Sequence, residues 1–197
     1  MEDRIIDEIL MYWFGALDSD GLSEPAQHGL WFKSSANTDK ECEALFRSAV
    51  EQAIAGKLDH WAKSDRGLIA LIVLLDQFPR NIYRGTASAF SGDNKSLIVA
   101  RQAIAMNRHK DLPLIHRVFL YLPLEHSEEL AVQEQCVALF EEMTNITGLT
   151  QMADFSRYAV AHRDVIAQFG RFPHRNAILG RQSTDAEIQH IATHGGF

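Results

Sequence analysis

Three stretches of the chain gather side chains that can bind or move charge. In FGRFPHRNAILGR, residues 169–181, three arginines and a histidine are threaded among phenylalanine, proline and glycine. Residues 157–181 hold five arginines against one aspartate, a formal +4 inside a chain of net charge −7. Planar guanidinium forks match carboxylate and phosphate oxygens two at a time, so Arg171, Arg175 and Arg181 are candidate anion ligands. Histidine titrates near neutrality without help, which makes His174 a candidate proton carrier. In LLDQFPRNIYRG, residues 74–85, Asp76 and Gln77 end an apolar run, and Arg80, Asn81 and Arg84 follow, two further anion ligands among them. In HRVFLYLPLEHSEEL, residues 116–130, Glu125, His126, Glu128 and Glu129 fall together, and His126 is the second proton-carrier candidate, with Asp76 and Glu125 to orient the two histidines.

Two readings of the arginines stand side by side. They form a buried ion-pair network with Asp76, Glu125 and Glu128, or they hold a bound anion; arginine forks serve both tasks. Architecture alone would pair Asp76 with Arg80 and let Asn81 cap loose carbonyls at a helix end. Phe78-Pro79-Arg80-Asn81 is echoed by Phe172-Pro173-His174-Arg175-Asn176, which suggests two helix ends finished alike. A bundle metal site needs Glu-x-x-His on two helices plus further carboxylates, and only Glu187 with His190 has that order. No metal and no cofactor are therefore expected. The chain has no GxSxG, HExxH, P-loop or Rossmann fingerprint, and Ser127 and His126, as helix neighbours, would not face one another.

The elements that must carry these residues read as helices. Ile5, Ile6, Ile9, Leu10, Trp13 and Phe14 make one apolar stripe between Asp3 and Gly15. A polar loop anchored by Trp31 and Phe32 follows, then a helix opened by a Thr38/Glu41 capping box and closed near Gly56. Asp65 is the expected cap of an element whose apolar residues cover every side, a buried central helix over 67–77 that Pro79 should stop at Phe78. Further helices are expected from Asp93 to Met106, from Pro113 to Leu122, after or across Pro123 to Thr144, and from Met152 to Gln168. A Thr184/Glu187 capping box opens a last one. Seven to nine helices with short connections form either a bundle or a right-handed stack of antiparallel hairpins.

Composition bounds the function classes. At 197 residues and 46% hydrophobic, one well-filled domain over 1–197 is the economical expectation. The acidic start MEDRIIDEIL lacks the basic head of a secretory signal, and the longest apolar run, Leu68 to Leu75, falls short of the roughly 20 residues that span a bilayer. Cys42 and Cys136 form no CxxC motif, which fits a reducing cytoplasm, and with so short an apolar run no membrane association is expected. The acidic balance argues against nucleic acid as partner.

LLDQFPRNIYRGT, FLYLPLEHSEEL and FGRFPHRNAILGR with its following residues together resemble the bacterial family known as domain of unknown function 924. The resemblance runs from MYWFG to the last helix. It implies an all-α fold of antiparallel hairpins in a tetratricopeptide-repeat-like array, and it carries no activity with it. The function expected from the residues is binding of a small anion by Arg80, Arg84, Arg171, Arg175 and Arg181, supported by Asp76, Asn81, Glu125, Glu128 and Asn176. Hydrolysis or group transfer would be its catalytic extension. The alternative is a non-catalytic helical scaffold for a protein partner.

Overall fold

The computed structural model describes residues 2–33 and 35–195. Among them the chain folds into nine helices, with one isolated antiparallel bridge, Leu17 to Ser23, as the only strand-like pairing. The helices are α1 (Glu2–Phe14), α2 (Gln27–Phe32), α3 (Ala36–Ile54), α4 (residues 65–82), α5 (Asp93–Ala105), α6 (Leu114–Glu125), α7 (Leu130–Thr147), α8 (Thr150–Phe169) and α9 (Asp185–His194). Two compact units, Met1–Pro123 and Leu124–Phe197, divide the chain.

In the first unit α4 is the axis. Every residue from Gly67 to Pro79 is buried, as its all-round apolar sequence requires. Around it, Phe46 stacks on Phe78 with ring centroids 4.6 Å apart, while Trp13 meets Phe78 and Phe119 edge-on at 5.3 and 5.9 Å. The expected stop at Phe78 does not occur. Val73–Gln77 widens into a π-helical turn, in which the Phe78 N–H donates to the Val73 carbonyl, and the helix continues through Pro79 to Ile82. An α-helical Pro79 would press its ring on the carbonyl of Leu75; the extra residue in the π turn relieves that clash. Gly92 packs on that same carbonyl so closely that an added Cβ would lie 2.1 Å from the oxygen.

Other helix starts shift by a few residues. Ser35, rather than Thr38, caps α3 by accepting from the Asn37 N–H, and Ser64, rather than Asp65, caps α4 by accepting from Gly67. A hydroxyl just outside the helix can adopt the extended backbone that capping needs, whereas Thr38 is already inside it. Trp31 anchors its segment by donating from Nε1 to the Trp13 carbonyl at 2.8 Å, whereas Phe32, 60% exposed, packs edge-on against the rings of His28 and Trp31.

The second unit is built on the hairpin of α7 and α8, joined through Gly148, whose φ of 65° takes a left-handed conformation that only glycine adopts cheaply. Cys136, Phe140, Met143, Met152 and Phe155 fill its seam. Helix α6 passes through Pro123 and ends at Glu125, so His126, Glu128 and Glu129 lie in a non-helical link. Buried Gln133 holds that link, its Nε2 donating to the carbonyls of Glu125 at 2.5 Å and Ser127 at 2.7 Å. Cys42 in the first unit and Cys136 in the second are both fully buried and stand outside any disulfide. No described helix is long and apolar enough to cross a membrane.

Candidate functional site

The loop after α8 assembles itself around two carboxylates. Gly170, at φ 69°, ends the helix and turns the chain, and a 3-10 turn over Pro173–Arg175 follows the buried Phe172. Glu128 accepts from the Phe172 N–H at 2.8 Å and from both terminal nitrogens of Arg181, at 2.7 and 2.9 Å. Burial pushes the Glu128 carboxyl up, but Arg181 and the Phe172 amide together hold it below its ordinary value. Arg181 also donates from Nε to Asn176 Oδ1 at 2.9 Å, and Asn176 donates to Ser183 Oγ at 3.0 Å.

Glu187 is the second anchor. It completes the capping box by accepting from the Thr184 N–H at 2.7 Å, and it takes a bidentate fork from Arg171 at 2.6 and 2.8 Å. The Arg171 hydrogen bond, helped by the Thr184 amide, holds the Glu187 carboxyl well below the usual carboxylate range. Two of the three loop arginines thus fasten the loop itself.

Inside this frame a second group of polar residues meets at one aromatic ring. Phe172 lies 5.7 Å from the His162 ring and 5.6 Å from the His174 ring, and the Arg175 guanidinium sits over its face at 4.5 Å. His126 joins from the link after α6, 6.3 Å from His162. His162 Nδ1 is 2.8 Å from the Tyr158 carbonyl and 3.4 Å from Glu125 Oε1, so its proton belongs on Nδ1. Burial, then the nearby His126, His174 and Arg175, pushes His162 down to about 3, leaving it neutral at physiological pH. His162 and Arg175 are buried, while His126 and His174 are half-buried and bring the cluster to the surface of the unit. Burial, and then the nearby Glu125, pushes the Cys136 thiol well up, away from its reactive thiolate form.

The remaining nominated residues lie in the first unit. Arg80 takes Asp93 at 2.8 and 3.2 Å and also meets Asp76 at 3.6 Å. Arg84 grips Asp39 at 2.7 and 2.8 Å, and Asn81 donates to the same carboxylate at 3.0 Å instead of capping carbonyls. Among the described residues no three His, Cys, Asp or Glu side chains gather as metal ligands do. Sequence reasoning named Asp76 and Glu128 among the acids that meet arginines, but not Asp39, Asp93 or Glu187. The Glu187 capping box was a usable signal; the other partners lie too far along the chain to leave one.

The sequence model of the family described as bacterial protein of unknown function (DUF924) matches residues 9–195. The solved structure of a protein of unknown function from Agrobacterium tumefaciens is similar, with 32% identity, a TM-score of 0.82, and coverage of 98% of this chain and 99% of that one. No curated protein matches. Sequence motifs, family match and helical architecture agree, and the chain belongs to the bacterial DUF924 family of unknown function.

Proposed function

We propose that the second unit binds a small oxyanion, a carboxylate or phosphate, at the cluster of His126, His162, His174 and Arg175. The observation that carries this reading is their convergence on Phe172 and His162, where one guanidinium and three imidazoles share a partly buried environment. Low local dielectric strengthens a charge-assisted hydrogen bond to an arriving anion. The anion would also raise the basicity of the surrounding imidazoles, and His126 or His174 would then carry the proton in any hydrolysis or group transfer. Arg171 and Arg181 hold the loop that presents Arg175, while Arg80 and Arg84 brace the first unit. Two buried cysteines outside any disulfide suit a reducing cytoplasm.

A second reading has its own support, since Arg80, Arg84, Arg171 and Arg181 are each engaged by acids. On that reading the arginines are internal braces and the protein is a scaffold, of which the α7–α8 hairpin is the stackable element of a tetratricopeptide-like array.

Thermal unfolding with inorganic phosphate and a panel of short carboxylates separates the two. A binder at a hundred times its Kd adds about 2.7 kcal/mol. That gain should vanish in His174→Ala and in Arg175→Lys and persist in Arg84→Ala. A panel without any stabilising member, or a gain untouched by both cluster variants, would leave the scaffold reading standing.

A further inference from the structure

The first unit holds a pocket that the anion reading does not use. Its volume is about 730 Å³, within the roughly 300–1,000 Å³ of small-molecule sites. Leu10, Met11, Tyr12 and Phe14 of α1 face Leu45 and Phe46 of α3 across it, so most of its wall is carbon.

The polar groups at this wall are nearly all engaged. Asp7 is paired with Arg66, and Glu8 accepts from Arg4 at 2.8 Å. The Tyr12 hydroxyl is turned to α3, 3.2 Å from Glu41 Oε2 and 3.6 Å from Cys42 Sγ, which leaves its ring for the pocket. His116 is the exception: none of the described residues hydrogen-bonds its imidazole, whose ring leans on Phe14 at 4.5 Å. Burial and then Arg66 push His116 down to about 4, so it stands neutral at physiological pH, with one donor and one acceptor nitrogen.

A wall of aromatic carbon with its charges already neutralised is complementary to a ligand without charge. A full charge entering it would lose hydration against that carbon, and the Asp7–Arg66 and Glu8–Arg4 pairs, exposed to water and already engaged, would return little of the loss. From this geometry we infer that the pocket binds an uncharged, flat aromatic molecule carrying one hydroxyl or ring N–H, its rings against Tyr12, Phe14 and Phe46 and its polar group on the His116 imidazole.

Three naphthalene probes of one shape test the charge selection by calorimetric titration at pH 7: 2-naphthol, 2-naphthoate, and 2-naphthylmethylamine as its ammonium ion. The neutral probe should bind at one site per chain, at least about tenfold more tightly than either charged one. Met11→Asp and Leu45→Asp change side chains that are 61% and 55% exposed, so the fold tolerates them while the pocket mouth gains a charge. Each should weaken 2-naphthol about tenfold or more. His116→Phe should weaken 2-naphthol by about three- to tenfold, the net worth of one hydrogen bond, and leave naphthalene itself unchanged. His174→Ala should leave all of this intact, which keeps the result independent of the anion site. No saturable 2-naphthol binding, preference for either charged probe, or indifference to both mouth variants would overturn the assignment.

Discussion

Glu128 accepts three hydrogen bonds, from the Phe172 amide and from two nitrogens of Arg181, and with them it fixes the loop that carries His174 and Arg175. Glu128→Gln keeps the shape but gives up the charge, and one of its three acceptor contacts is met by an amide nitrogen. The loss should be about 1.5–3 kcal/mol, the range for hydrogen bonds to charged groups. A urea titration with an unchanged m-value checks it; a midpoint equal to wild type would mean that Arg181 is held elsewhere. The concentration of cation in residues 157–181 is thus largely a matter of construction. That the arginine forks would meet oxygens, of protein acids or of a bound anion, was legible from residue type. Glu128 and Asp76 could be named among those acids, but Asp39, the partner of Arg84, could not, because it lies 45 residues away, a range over which neither periodicity nor capping patterns carry information.

At the scale of elements, the π turn in α4 and the closeness of Gly92 to the Leu75 carbonyl belong together. Proline leaves that carbonyl without its helical donor, and a glycine backbone is the neighbour slim enough to lie over it. In Gly92→Ala the new methyl would sit 2.1 Å from the oxygen, so backbone must move. Overpacking of this kind costs about 1–3 kcal/mol, to be read as a fall in Tm of the intact chain. An unchanged Tm would show that the α5 start can slide away freely. Helix periods, the Gly15 and Gly170 stops and the Thr184 capping box could all be read in advance, because each is a local rule satisfied by adjacent residues. The continuation of α4 through Pro79 could not, since it depends on a backbone distortion that tertiary burial of the whole rod makes worthwhile.

For the molecule as a whole, acid is the stress that reaches both units. His116 in the first and His162 in the second are held neutral, at about 4 and about 3, against an ordinary 6.5. Because the unfolded chain takes up these protons before the folded one does, their effect is absent above pH 6.5 and grows as the pH falls toward the folded values. Each histidine adds at most about 1.4 kcal/mol of lost stability per pH unit in that window. Asp39, Glu128 and Glu187, held below their ordinary values, extend the loss further into acid as their carboxylates are protonated. Stability measured from pH 7 to pH 4 should therefore decline, with a shallower slope in His162→Gln; equal slopes would show that His162 titrates normally in the native state. The anion assignment predicts in addition that phosphate shifts the His162 titration upward, readable by proton NMR. Cys42 and Cys136 turn the same molecule into its own two-channel clock. Each unit contains one thiol that an alkylating reagent reaches only when that unit opens, so the labelling rates of the two sulfurs, distinguished by mass, time the breathing of each half without any engineered probe.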